Sequence, residues 1–182
     1  MRQRKLTPVP STPSTAVDGG LAAFNAAPLP AARDFLRPCV DIDRWIEEVA
    51  AGRPYADVAA ALAAARTAAP DWTEAELDAA LARHPRIGER AAGADAEAAL
   101  SRREQSGVGH DPDVQERLRE GNRAYEDKFG RVFLIRAAGR SAEEILSALQ
   151  DRLRHTPEEE LPVIAGQLRE IAILRLEGLL TA

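Results

Sequence analysis

The amino-acid sequence predicts an all-α protein, a single domain over residues 19–182 with about eight helices and one short extended connector. Three features support this fold class. Aromatic residues make up only 4% of the 182 residues, and alanine, the strongest helix former, is abundant. Helix start and stop signals also recur along the chain. Residues 1–18 are rich in proline, serine and threonine, so we expect them to form a disordered tail.

The first part of the domain carries four predicted helices. Short helices are expected over residues 19–26 and 31–37, where the tail gives way to an apolar pattern. Asp41 is the expected N-cap of a third helix, which Gly52 ends. Pro54 is expected to open the fourth, because proline is favoured at the first helical position.

Capping boxes predict where further helices begin. In such a box a Ser or Thr and a Glu three residues later each satisfy a backbone N–H group at the helix start. Thr73 and Glu76 form one box, for a helix that reaches Arg83, and Ser141 and Glu144 form another. The Ser141 box begins a helix over residues 142–154. Further helices are predicted over residues 95–106, 112–128 and 157–180.

One segment does not fit a helix. Residues 131–137 form a short apolar run between Gly130 and Gly139, which indicates a strand or a buried extended segment. No second run of this kind offers a sheet partner. Its backbone N–H and C=O groups therefore need other partners, and a bound ligand is one possibility.

Charge and cysteine content exclude several functional classes. Lys and Arg number 24 against 29 Asp and Glu, a formal net charge of −5, which argues against a nucleic-acid partner. No apolar run is long enough to span a membrane. The lone cysteine, Cys39, allows no internal disulfide or Cys-x-x-Cys metal site, and no secretory signal is visible. We therefore expect a cytoplasmic protein.

Three groups of residues are candidates for chemistry. Arg175 shares a 60° arc of the last helix with apolar residues, where a charge is costly unless it is paired; it either pairs with a core carboxylate or faces an anionic ligand. His84 is either a histidine favoured at a helix C-terminus or a general acid–base. Ser101, Glu104 and Gln105 share a helix face that is either solvated or suited to a ligand rich in N–H and C=O groups.

Together these signals form a recognisable set. The chain contains, in this order, His84-Pro85-Arg86-Ile87-Gly88-Glu89, Ser101-Arg102-Arg103-Glu104-Gln105-Ser106-Gly107, and Phe129-Gly130-Arg131-Val132-Phe133-Leu134-Ile135 followed by Gly139-Arg140-Ser141. This order resembles the OHCU decarboxylase family, where OHCU is 2-oxo-4-hydroxy-4-carboxy-5-ureidoimidazoline. The resemblance covers about residues 20–180.

The resemblance implies an all-helical homodimer that converts OHCU to (S)-allantoin in urate breakdown, with no metal and no organic cofactor. It implies catalytic roles for His84 and Glu104. It also implies that the extended segment lends backbone contacts to the ligand. The substrate-binding residues that it implies are Pro85, Ser101, Gln105, Phe133, Leu134, Ile135 and Arg175.

Two other functions remain open at this point. A non-catalytic helical interaction module would present an apolar groove rather than a closed polar pocket. A metal-dependent hydrolase would use His84, Glu104 and His110, although their spacing matches no common zinc signature.

Overall fold

The computed structural model describes residues 19–82, 84, 86–87, 99–100 and 111–182. The described part of the chain contains eight helices with defined bounds, two further helical residues and no strand, so the predicted all-α class is confirmed. The helices are α1 (Gly19–Ala26), α2 (Leu29–Leu36), α3 (Asp43–Ala51), α4 (Val58–Thr67), α5 (Glu74–Leu81), α6 (Pro112–Phe129), α7 (Ala142–Arg152) and α8 (Pro157–Leu180).

Local capping signals predicted several helix starts correctly. Both predicted capping boxes are present, at the starts of α5 and α7, and a third formed by Thr156 and Glu159 begins α8. The carboxylate of Asp111 caps α6 by accepting hydrogen bonds from the backbone N–H groups of Asp113 and Val114. These interactions lie within one turn of the chain, so the sequence alone specifies them.

Two predicted helix starts were wrong. Asp41 does not cap α3, because its carboxylate pairs with Arg37 and the residue before the helix is Ile42, which makes no side-chain cap. Pro54 does not open α4. That helix begins at Val58, where the carboxylate of Asp57 accepts a hydrogen bond from the backbone N–H of Ala60 at 2.7 Å.

Smaller differences concern helix ends. The second helix begins at residue 29 rather than 31, and α5 ends at Leu81 rather than reaching Arg83. Most of the helix predicted over residues 95–106 lies outside the described residues, although Ala99 and Leu100 are helical. The tail expected over residues 1–18 also lies outside them.

The helices enclose two hydrophobic cores. The first core lies among α1–α5 and α8, and the second among α6, α7 and the chain between them. Two glycines allow close helix packing: a Cβ on Gly121 would meet Leu149 Cδ2 of α7 at 2.4 Å, and one on Gly20 would meet the backbone of α8. The conformational cost of a glycine inside α6 is therefore offset by its close contact with α7.

The apolar residues of α8 are covered within the chain itself. Ile173, Leu176 and Leu180 lie away from the main apolar stripe of this helix, and all three are buried in the first core of a single chain. Within the described ranges, none of the helices has the length and apolarity to cross a membrane.

Candidate active site

The extended connector predicted over residues 131–137 runs between the two cores. Residues 132–137 have no helical or strand assignment, which confirms the prediction. Phe133 and Ile135 are buried in the second core, whereas Leu134 is buried in the first. Successive side chains of an extended segment point in opposite directions, so this short run contributes side chains to both cores and lies between them.

Side chains from two helices hold the backbone of this segment. Arg152 of α7 donates a hydrogen bond to the carbonyl of Leu134 at 2.7 Å. The side-chain oxygen of Gln167, on α8, accepts a hydrogen bond from the backbone N–H of Arg136 at 2.9 Å. Among the described residues, no hydrogen bond joins the backbone of Phe133 or Ile135 to another protein group. Within the described part of the chain, the backbone groups of these two residues therefore lack hydrogen-bond partners, as the sequence predicted for this segment.

The start of the segment is fastened to α5. The guanidinium of Arg131 pairs with Glu74 and Asp78, which lie one turn apart on that helix. This hydrogen bonding lowers the pKa of Asp78 and raises the pKa of Arg131 above its ordinary value. The segment therefore runs beside the helix that leads to His84.

His84 follows α5 directly and is only 8% exposed. Its backbone N–H donates to the carbonyl of Leu81 at 2.9 Å, and its ring Nδ1 lies 3.0 Å from the carbonyl oxygen of Ala80. A carbonyl can only accept, so this contact requires the proton of the neutral ring to be on Nδ1. The other nitrogen, Nε2, then carries the lone pair that can accept a proton from a substrate.

The chain after His84 is held by α6. Asn122 donates a hydrogen bond to the carbonyl of Ile87 at 3.0 Å, and Arg86 makes a two-pronged pair with Glu126 at 2.6 and 2.7 Å. The hydrogen bonds from Arg86 lower the pKa of Glu126. His84 is thus positioned by α5 on one side and by α6 on the other.

Arg175 is buried on α8, with only 2% of its surface exposed. It continues the apolar stripe of Ile164, Leu168 and Ile171, all of them buried, as the helical spacing predicted. Its Nη1 donates a hydrogen bond to the carbonyl of Pro38 at 3.1 Å. The guanidinium therefore borders the first core, the same core that receives Leu134.

The structure brings together the elements that carry the described candidates. Helix α5, which leads to His84, packs against α8, which carries Arg175. The segment with Phe133, Leu134 and Ile135 is tied to both helices by the contacts above. The other predicted site residues lie outside the described residues, so their roles stay predictions; they are Pro85, Ser101, Glu104 and Gln105. His110 of the metal-dependent alternative lies outside them too.

Sequence reasoning missed a buried polar network beside the segment. Arg152 pairs with Glu160 at 2.6 Å, Tyr125 donates its hydroxyl hydrogen to Glu160, and His155 Nδ1 lies 2.7 Å from the second carboxylate oxygen. Burial and the hydrogen bond to Glu160 raise the pKa of Tyr125. A signal was present, because Glu160 lies four residues before Ile164 on the apolar stripe of α8.

The fold and site define an all-helical domain in which α5, leading to His84, packs against α8, which carries Arg175, and both helices are tied to one extended segment. The chain belongs to the OHCU decarboxylase family, whose family model matches residues 25–177. That range includes every candidate residue named above.

Individual relatives agree with this assignment. A 2-oxo-4-hydroxy-4-carboxy-5-ureidoimidazoline decarboxylase of Halalkalicoccus jeotgali is 34% identical over 99 residues, 53% of this chain and 54% of that protein. The Mus musculus protein of the same name is 37% identical over 87 residues, 46% of this chain and 49% of its own length. These matches span about half the length of the curated relatives.

A solved structure covers more of the chain. The crystal structure of an OHCU decarboxylase in the presence of (S)-allantoin has a TM-score of 0.64 and 25% sequence identity to this protein. The alignment covers 82% of this chain and 99% of that one.

Proposed function

We propose that this protein catalyses the stereospecific decarboxylation of OHCU to (S)-allantoin in urate degradation, without metal or organic cofactor. The observation that carries the proposal is the family match across residues 25–177. The likeness to an OHCU decarboxylase crystallised in the presence of (S)-allantoin supports the same chemistry.

The substrate explains why no cofactor is needed. Loss of CO₂ breaks a carbon–carbon bond and leaves an electron pair, for which many enzymes supply a cofactor as the acceptor. In OHCU the ring imine adjoins the carbon that bears the carboxylate and the hydroxyl, so the pair can flow into it. The protein must then orient the ring, exclude competing water and deliver one proton to one face.

His84 is our candidate for the proton transfer at the 4-hydroxyl or the ring carbon. The hydrogen bond from Nδ1 to Ala80 leaves Nε2 as the basic nitrogen, and the ring is buried. An imidazole titrates near neutral pH, which suits a general acid–base. One such group typically contributes about 10²–10⁴-fold to the rate.

The remaining groups would bind and orient the ligand. Arg175 would hold an anionic or carbonyl part of it, and the backbone at Phe133 and Ile135 would offer hydrogen bonds. This role is supported by the lack of other partners for that backbone among the described residues. Glu104 would act with His84, and Glu104 and Gln105 would accept and donate hydrogen bonds at the ring and the ureido group. Ser101 and Pro85 complete the proposed site.

We further propose that the protein acts as a cytoplasmic homodimer on this small molecule alone, without a nucleic-acid partner. The formal net charge of −5 supports the last point. Sedimentation of the purified protein would report the oligomeric state directly.

The proposed reaction is tested by the chirality of its product. Urate oxidase and hydroxyisourate hydrolase generate OHCU from urate, and circular dichroism then follows the allantoin that forms with and without this protein. Because the uncatalysed reaction gives racemic allantoin, we expect a dichroic signal of the (S) enantiomer only when the protein is present. A racemic product in both samples would contradict the proposal.

A further inference from the structure

One buried guanidinium contacts two successive residues of the extended segment. Arg152 is 6% exposed, and its Nη1 donates to the carbonyl of Leu134 at 2.7 Å. The same guanidinium lies over the ring of Phe133, 4.6 Å from the ring centroid. It therefore contacts both the backbone and a side chain of the segment that the proposed function assigns to substrate binding.

The orientation of this guanidinium is itself fixed. Nε of Arg152 donates to Glu160 at 2.7 Å, and Nη2 donates to the hydroxyl of Tyr125 at 3.2 Å. Glu160 is fully buried on α8. A guanidinium is planar, so fixing Nε and Nη2 also fixes the direction in which Nη1 points.

A second residue holds the segment from α8. Gln167 lies seven residues after Glu160, which is two helical turns, so the two side chains share a face of the helix. Its side-chain oxygen accepts the backbone N–H of Arg136 at 2.9 Å. Between the carbonyl of Leu134 and the N–H of Arg136 lies Ile135, whose backbone has no other hydrogen-bond partner among the described residues.

We propose that Arg152 and Gln167 are positioning residues for the reaction: they fix the backbone of Leu134 and Arg136, so that the neighbouring backbone groups meet the substrate in one orientation. This inference rests on the proposed function. A purely structural role is a weaker explanation for Arg152, because a buried ion pair contributes little net stability compared with apolar residues of similar volume. An apolar residue could fill the space but could not hold a carbonyl oxygen.

Paired substitutions test the proposal in the coupled assay for allantoin. Arg152→Lys keeps the charge beside Glu160 but loses the planar fork, and its control is Arg154→Lys, two residues away with 79% of the arginine side chain exposed. Gln167→Leu removes the acceptor for Arg136, whereas Gln167→Glu keeps an acceptor oxygen at that position.

We expect Arg152→Lys and Gln167→Leu to raise KM about fivefold to tenfold, the effect of one lost hydrogen bond, and to lower the enantiomeric excess of the product. Arg154→Lys and Gln167→Glu should stay close to the wild type in both. Thermal unfolding would show which variants are folded. If Arg152→Lys does not fold, Gln167→Leu decides the question, since Gln167 is uncharged and only half-buried.

The outcomes separate this inference from the proposed function. Folded Arg152→Lys or Gln167→Leu protein with the wild-type KM and enantiomeric excess would overturn the positioning role alone. Racemic allantoin from the wild-type protein would overturn the decarboxylase assignment and this inference with it.

Discussion

Arg152 and Arg175 are both buried, but the two cores hold them differently. In the second core, Arg152 is balanced by the carboxylate of Glu160 and donates to a hydroxyl and a carbonyl. In the first core, Arg175 lies on an apolar stripe and donates to the carbonyl of Pro38. A buried charge on an apolar helix face therefore does not by itself mark a ligand site. Arg152 contacts a carboxylate and the extended segment, which gives it a positioning role, whereas Arg175 is our candidate for direct contact with the substrate.

The largest effect should come from His84, beside the first core. We expect His84→Ala to lower kcat by about 10²–10⁴-fold, because the reaction loses its general acid–base. Initial rates of OHCU decay and the enantiomeric excess of allantoin check this result. A variant with a near-normal rate and enantiomeric excess would remove His84 from the mechanism.

The next largest effect concerns stability in the second core. Arg152→Met should lower the free energy of unfolding by about 3–5 kcal/mol, because Glu160 stays buried and loses the guanidinium, keeping only Tyr125 and His155 as partners among the described residues. Urea denaturation measures the change, and Arg154→Met at the exposed end of the same region is the matched control. A loss below about 1 kcal/mol would mean that His155 and Tyr125 balance Glu160 without Arg152.

The double variant Arg152→Met with Glu160→Met tests whether the buried carboxylate causes the loss of stability. Removing both charges takes away the uncompensated carboxylate, so much of the lost stability should return. If the double variant is as unstable as Arg152→Met, the cost lies in packing around the guanidinium rather than in the buried charge.

Arg175→Met is the corresponding test in the first core. We expect kcat/KM to fall about 100-fold, as for lost hydrogen bonds to a charged group. Steady-state kinetics measure this loss, and urea denaturation shows whether the variant is folded. Full activity combined with strong destabilisation would remove Arg175 from substrate binding.

The smallest effect is expected at an exposed ion pair. Hydrogen bonds from Arg44 lower the pKa of Glu76 from 4.5 to about 2. Because its pKa is lower in the folded protein, the ionised carboxylate stabilises the fold at pH values above the ordinary pKa. This contribution disappears as the pH falls through the lowered pKa. The stability difference between wild type and Glu76→Gln should therefore be present at pH 6 and shrink towards pH 2. A difference that does not vary with pH would contradict the shift.

Local signals in the sequence predicted much of the fold. The capping boxes at Thr73 and Ser141 were correct because all their partners lie within four residues. The predictions at Asp41 and Pro54 were wrong for different reasons. Asp41 forms an ion pair with Arg37 instead of capping a helix, and the N-cap of α4 is Asp57.

Fewer features of the candidate site could be predicted from the sequence. The apolar stripe on α8 predicted that Arg175 is buried. Glu160 could not be distinguished in the same way, because it lies in the first turn of α8, where glutamates are expected at any helix start. Its partner Arg152 lies on another helix, and only the packing of α7 beside α8 brings the two together. Long-range pairs of this kind depend on the tertiary structure, which local patterns do not encode.

We propose that His84, the segment around Phe133 to Ile135 and Arg175 border one substrate pocket. A crystal structure of the protein with (S)-allantoin tests this arrangement. We predict ligand atoms within hydrogen-bond distance of His84 Nε2, of a backbone group at Phe133 or Ile135, and of the Arg175 guanidinium. Allantoin bound elsewhere, with these three groups out of reach, would show that they do not form the substrate pocket.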